Sequence, residues 1–76
     1  MGKEEIREVL RKLQEKKNSE LWLRVNGVLI YIRDDVRVEV ESNNDLYRIY
    51  IMKEYTCVAY IAEYSINDIS FEEANV

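Results

Sequence analysis

The side chains with a claim to chemistry are Cys57, the hydroxyls of Ser19, Ser42, Ser65 and Ser70, the carboxylates of Asp34, Asp35, Glu39 and Glu41, and a set of aromatic residues. The chain contains no histidine. Without an imidazole to accept a proton, neither a serine nor Cys57 has the neighbouring base that nucleophilic triads depend on. A single cysteine and no histidine also leave no soft ligand set for zinc or an iron–sulfur cluster. Cys57 opens an alternating apolar run and is expected to be a small core residue. Asp34-Asp35 followed by Glu39 and Glu41 lacks the ligand spacing of a calcium loop and reads as a solvated turn and strand face. With two glycines in the chain there is no Gly-rich loop to cradle a phosphate. No catalytic residue, cofactor or metal is assigned, and the chain is expected not to be an enzyme.

What remains is binding chemistry. The aromatic residues are Trp22, Phe71 and the tyrosines at 31, 47, 50, 55, 60 and 64. Six of the eight are tyrosine, a side chain stable when half-buried with its hydroxyl in water, which is the situation at interfaces. Trp22 alternates with Leu21, Leu23 and Val25 and therefore shares a face with Arg24. Arg48, Tyr50 and Met52 share another, a mixture of guanidinium, aromatic and thioether groups typical of binding hot spots. These five residues, Trp22, Arg24, Arg48, Tyr50 and Met52, are the expected partner-binding set. The bland alternative makes them a second core layer, under the helix or across a homodimer.

The elements that position them follow from a change of hydrophobic rhythm near Asn18. Ile6, Val9, Leu10 and Leu13 recur at helical spacing, predicting an amphipathic helix over 3–17. Glu4, Glu5 and Glu8 at its start and Lys12, Lys16 and Lys17 at its end suit the helix dipole, with Asn18 as its stop. From Leu21 to Phe71 the repeat becomes two. Leu21–Val25 and Val28–Arg33 are predicted strands joined by an Asn26-Gly27 hairpin turn. Asp34-Asp35 is the next turn, and Val36, Val38 and Val40 alternate with Arg37, Glu39 and Glu41. Ser42 to Asp45 reads as a polar turn before a strand from Leu46 to Met52, and a loop at Lys53 to Thr56 precedes one from Cys57 to Tyr64. After a turn at Ser65 to Asn67, Ile69 and Phe71 add a short sixth strand, and residues 72–76 read as a frayed acidic tail.

The fold class expected is α+β in one domain over 1–76: an N-terminal helix and five or six short, mainly antiparallel strands. The strands over 28–33, 46–52 and 57–64 are apolar on both faces, and the first of them reads as central. One helix covers one side of a sheet, so the other side must be sheltered by curling into a barrel or by packing across a dimer. The order of a helix followed by short, bent strands resembles small Sm-like and SH3-like barrels, and Tyr64-Ser-Ile-Asn-Asp-Ile-Ser-Phe71 is similar in pattern to the closing strand of such domains. That resemblance implies a strongly bent sheet or small barrel and carries over no functional residue.

Charge narrows the partners. The net charge is −4, and residues 21–76 hold five basic against ten acidic groups, which argues against a nucleic-acid phosphate backbone as ligand. No apolar run approaches a membrane span. A lone cysteine and the absence of a signal-like opening segment point to the cytoplasm. A chain of this length buries only about 60 to 65% of its unfolded surface, which favours a homo-oligomer. The expected function is a small interaction module binding itself or another protein, in the manner of a phage-type inhibitor or adaptor. The alternatives are a small-ligand or nucleotide-binding barrel and an Sm-like RNA-binding protein.

Overall fold

A computed structural model describes residues 1–16 and 19–74. The expected helix stop at Lys17 and Asn18, and the final two residues of the expected tail, lie outside them. The element order is α1 (Lys3–Gln14), β1 (Leu21–Val25), β2 (Val28–Ile32), β3 (Val36–Asn43), β4 (Leu46–Lys53), β5 (Thr56–Ala62), a 3-10 turn (Glu63–Ser65) and β6 (Ile69–Glu73). The α+β class is as expected. Among the described residues no helix is long and apolar enough to cross a membrane.

Helix α1 begins where Glu5 Oε1 accepts the Gly2 N–H at 3.2 Å, satisfying one of the donors that a helix start leaves open. It ends three residues short of the expected Lys17. Glu15 and Lys16 donate to the Lys12 and Leu13 carbonyls at 3.2 and 3.0 Å, a tightening of the last turn that uses up acceptors a longer helix would need. Ile6, Leu10 and Leu13 are buried, and Val9 packs beside them.

Strands β1 to β5 follow one another through turns of two residues each: Asn26-Gly27, Asp34-Asp35 (closed by the Arg33–Val36 bridge), Asn44-Asp45 and Glu54-Tyr55. Each turn contains a residue with positive φ: Asn26 at 50°, Gly27 at 84°, Asp34 at 42°, Asn44 at 56° and Glu54 at 55°. Paired positive values at Asn26 and Gly27 make the mirror-image turn that matches strand twist. The turns are tighter than the sequence suggests. Ser42 and Asn43 stay in the β3–β4 ladder opposite Tyr47 and Leu46, because Asn44 alone absorbs the reversal. Lys53 and Thr56 likewise pair with each other.

The strands form two three-stranded sheets, β2-β1-β6 and β3-β4-β5, not one closed cylinder. After the Asp34-Asp35 turn β2 and β3 share only the Arg33–Val36 bridge and then diverge. The end of α1 occupies that side, with Gln14 Nε2 donating to the Val40 carbonyl at 3.1 Å. Strand β2 is therefore an edge of its sheet, and its Val28 and Leu29 are 61% and 51% exposed. The central strand is β1, flanked by β2 and β6.

The inner faces of both sheets and the helix stripe share one core, containing Leu10, Leu13, Leu21, Leu23, Ile49 and Ile69 as its largest fully buried side chains. Burial alternates along β1 as its sequence does, with Trp22 and Arg24 outward. Glu72 and Glu73 are not a frayed tail: they pair with Trp22 and Leu21 at the end of β6. Glu63, expected on the fifth strand, is instead a buried carboxylate in the 3-10 turn. It accepts from Arg7 Nε at 2.5 Å and from the Tyr47 N–H at 2.9 Å, tying α1 to the start of β4. Asn26 does the same for β1. Its side chain donates to the Ser65 carbonyl at 2.9 Å and accepts from the Asn67 N–H at 2.7 Å.

Candidate interaction surface

The side chains of the candidate site are placed by the register of the second sheet. Leu46–Lys53 alternates so that Tyr47, Ile49 and Ile51 face the core and Arg48, Tyr50 and Met52 face outward, and the two-residue turns then fix their neighbours. Arg48 lies opposite Glu41, Tyr50 opposite Glu39, and Met52 opposite Arg37 on one side. On the other side Tyr50 lies opposite Tyr60 and Met52 opposite Cys57.

Cross-strand contacts organise this face. The Tyr50 and Tyr60 rings lie 5.2 Å apart with planes inclined by 39°, within the range of favourable aromatic pairs. Arg48 Nε donates to Tyr60 Oη at 3.2 Å, and its Nη1 lies 3.8 Å from Glu41 Oε1. Hydrogen bonding to Tyr60 holds the Arg48 guanidinium more firmly protonated than usual. Partial desolvation, with the Glu41 carboxylate adding to it, pushes the Tyr50 phenol up, so Tyr50 is a neutral hydroxyl at physiological pH. The face thus presents two phenols, one fixed cation and a thioether, a set suited to holding a partner and not to proton transfer. Among the described residues no group of three or more Cys, Asp or Glu is gathered to hold a metal ion.

Trp22 and Arg24 do not belong to this face. They project from the outer side of the first sheet, where Trp22 stacks on its cross-strand partner Tyr31 at 4.1 Å and 11°. The Arg33 guanidinium lies over the Tyr31 ring, 5.3 Å from its centroid, and Tyr31 Oη donates to Glu20 at 3.2 Å. Trp22 thus has a stacking partner within the chain and keeps 41% of its surface exposed. The expected five-residue set is therefore divided between two sheets, Trp22 and Arg24 on one, Arg48, Tyr50 and Met52 on the other. Tyr60 and Glu41 were missing from it, and the signal that finds them is the pair of tight turns that sets register. Cys57, expected in the core, is exposed. A register shift opposite Ile51 and Met52 turns it to the outer side.

A groove of about 700 Å³ opens where β3 leaves β2, beside the end of α1. Its apolar floor includes Ile32, Val36, Val38 and Val40, and its charged lining is balanced, with Lys16, Arg33 and Arg37 against Glu20, Asp34 and Glu39. That balance gives no field to select a phosphate. No protein-family model, no curated protein and no solved structure matches this chain.

Proposed function

We propose that this chain is a non-enzymatic interaction module that binds another protein through the outer face of β3, β4 and β5, with Tyr50, Tyr60 and Met52 as the apolar contact and Arg48 as the polar anchor. The observation that carries the reading is the outward Tyr50–Tyr60 pair braced by Arg48, with Glu39 and Glu41 along its β3 border. A preformed pair loses little side-chain freedom on contact, and tyrosine and arginine are the residues that dominate binding energy at such patches. The acidic border would favour a partner with basic groups at its rim. We take the cytoplasm as its compartment, where an exposed lone thiol such as Cys57 stays reduced.

The test is comparative affinity capture with the wild-type chain and the Tyr60→Ala and Arg48→Ala variants as baits, each checked for unchanged circular dichroism. The reading expects a defined protein bound by the wild type and lost from both variants. A partner retained equally by all three baits would move the site elsewhere. No protein bound beyond the chain itself would refute the reading.

A further inference from the structure

The contact face continues past Arg48. The outward row of β4, Met52, Tyr50 and Arg48, begins with Leu46, and Leu46 also borders a hollow of about 340 Å³. Buried Ile6 and Ile66 form its floor, while Met1 and Tyr64, 49% and 79% exposed, stand at its rim. Four residues of strand separate Leu46 from Tyr50, about 14 Å at the usual rise. The hollow therefore falls within the footprint of a single partner that covers the Tyr50–Tyr60 pair.

Hydrogen bonds hold its walls. Glu63, in the 3-10 turn, accepts from Arg7 of α1 and from the Tyr47 N–H of β4, and Arg7 Nη2 also donates to the Asp45 carbonyl in the β3–β4 turn. The segments that enclose the hollow are thereby tied to one another, so it exists before anything enters it, and a preformed pocket costs little to fill. The Glu63 carboxylate is spent on these contacts.

The lining selects the chemistry of what enters. Lys3 and Arg7 line the space together with Asp45 and Glu63, so a charged group of either sign meets a like charge there. A neutral apolar group suits it. Of those, an aromatic ring gains more than an aliphatic one: its face attracts the Lys3 ammonium or the Arg7 guanidinium, and it packs favourably on the Met1 thioether and the Tyr64 ring. We propose that the hollow is the anchor pocket of the contact face and takes one aromatic side chain of the protein partner, about 14 Å along β4 from the Tyr50–Tyr60 pair. An aromatic anchor buried in a preformed pocket is the usual centre of a binding hot spot. The assignment rests on the outer face of β3, β4 and β5 being the binding surface.

The experiment is two-dimensional amide NMR on the full chain, titrated with indole as the aromatic probe and with cyclohexanol as the aliphatic one. Indole is expected to shift the amides of Leu46, Tyr64 and Ile66 and to saturate at a concentration on the order of 1 mM, with those of Trp22 and Tyr31 unmoved. Cyclohexanol should bind about fivefold more weakly. Tyr64→Ala removes part of the rim at an exposed position, so the fold stays intact, and it should weaken indole about fivefold. In affinity capture beside the wild-type chain, the same variant should hold the partner about fivefold less strongly. Indole shifts centred elsewhere, cyclohexanol bound as tightly as indole, or capture undiminished by Tyr64→Ala would each overturn the proposal. The last of these, with capture lost from Tyr60→Ala and Arg48→Ala, would leave the face standing without its anchor. Indole held in the hollow by a chain that captures no protein would instead refute the face, and the anchor role with it.

Discussion

Replacing Glu63 should destabilise this protein more than any other single carboxylate change, and the size of the loss follows from its three contacts. Its side chain is 5% accessible and that of Arg7 21%. Glu63→Ala removes the acceptor of Arg7 Nε at 2.5 Å and Nη2 at 3.2 Å and leaves the Tyr47 N–H, now at 2.9 Å, without a partner. Arg7 can turn to water, but the Tyr47 amide is held in place at the start of β4. An orphaned buried donor costs about 1 to 3 kcal/mol and a lost charge-assisted bond about as much. Allowing for the rehydration of Arg7, the alanine variant should lose about 2 to 4 kcal/mol. For a domain of this size that lowers Tm by roughly 10 to 25 °C. Glu63→Gln retains an acceptor for Tyr47 and should lose about 1 to 2 kcal/mol. Acid adds a second readout. The hydrogen bond from Arg7, opposed by desolvation and aided by the Tyr47 N–H, holds the Glu63 carboxyl below the ordinary carboxylate range. A group with a depressed folded pKa stabilises the protein above its unfolded value, about 4.3 for glutamate, and loses that contribution as pH falls through the folded value. Urea denaturation of wild type and Glu63→Gln from about pH 7 to about pH 2.5 should therefore show a gap that is constant above about pH 5 and closes below it. An alanine variant melting within about 2 °C of wild type, or a gap indifferent to pH, would refute this account of the contact.

Three further outcomes are expected. Ile49 is fully buried at the centre of the second sheet, so Ile49→Ala should lose about 2 to 5 kcal/mol in chemical denaturation; a loss under about 1 kcal/mol would mean the core collapses around the gap. Gly27 has φ of 84° with no atom within 4 Å of the space a Cβ would fill, so Gly27→Ala should cost about 1 to 2 kcal/mol from backbone strain alone, and Gly27→Asn less; equal costs would point to side-chain crowding. Trp22→Ala forfeits the stack on Tyr31, worth about 0.5 to 1.5 kcal/mol, and should lower Tm by a few degrees while leaving partner capture unchanged, since Trp22 stands on the other sheet. Loss of capture would return Trp22 to the site.

Local pattern was legible in the sequence, and assembly of the pattern was not. The Ile6, Leu10 and Leu13 stripe, the outward Trp22 and Arg24, the Asn26-Gly27 turn and the face shared by Arg48, Tyr50 and Met52 all follow from periodicity, because a helix or strand fixes which side chains share a side. Periodicity does not say which strands share a sheet. Hence Trp22 and Tyr50 fell into one expected site although their strands belong to different sheets, and β2, apolar on both faces, read as central although it lies at an edge. Polar residues misled at strand ends for a related reason: Ser42, Asn43, Glu72 and Glu73 look like loop or tail, yet a strand tolerates them where side chains reach water and the backbone is paired. Glu63 was hidden because its role rests on Arg7, 56 positions earlier. Cys57 moved from core to surface through one register shift, which no residue type announces.

The pairing of β1 with both β2 and β6 has a consequence for how the molecule is made. Within each sheet the hairpins β1–β2 and β3–β4–β5 can zip up in order as they emerge, each strand closing on its predecessor through a two-residue reversal, and such nearest-neighbour steps are fast. The first sheet, however, stays half-built until residues 69–73 arrive to flank β1. A nascent chain halted after β5 would expose one whole side of β1 together with the lower end of the shared core, the state in which chaperone capture or misassembly is most costly.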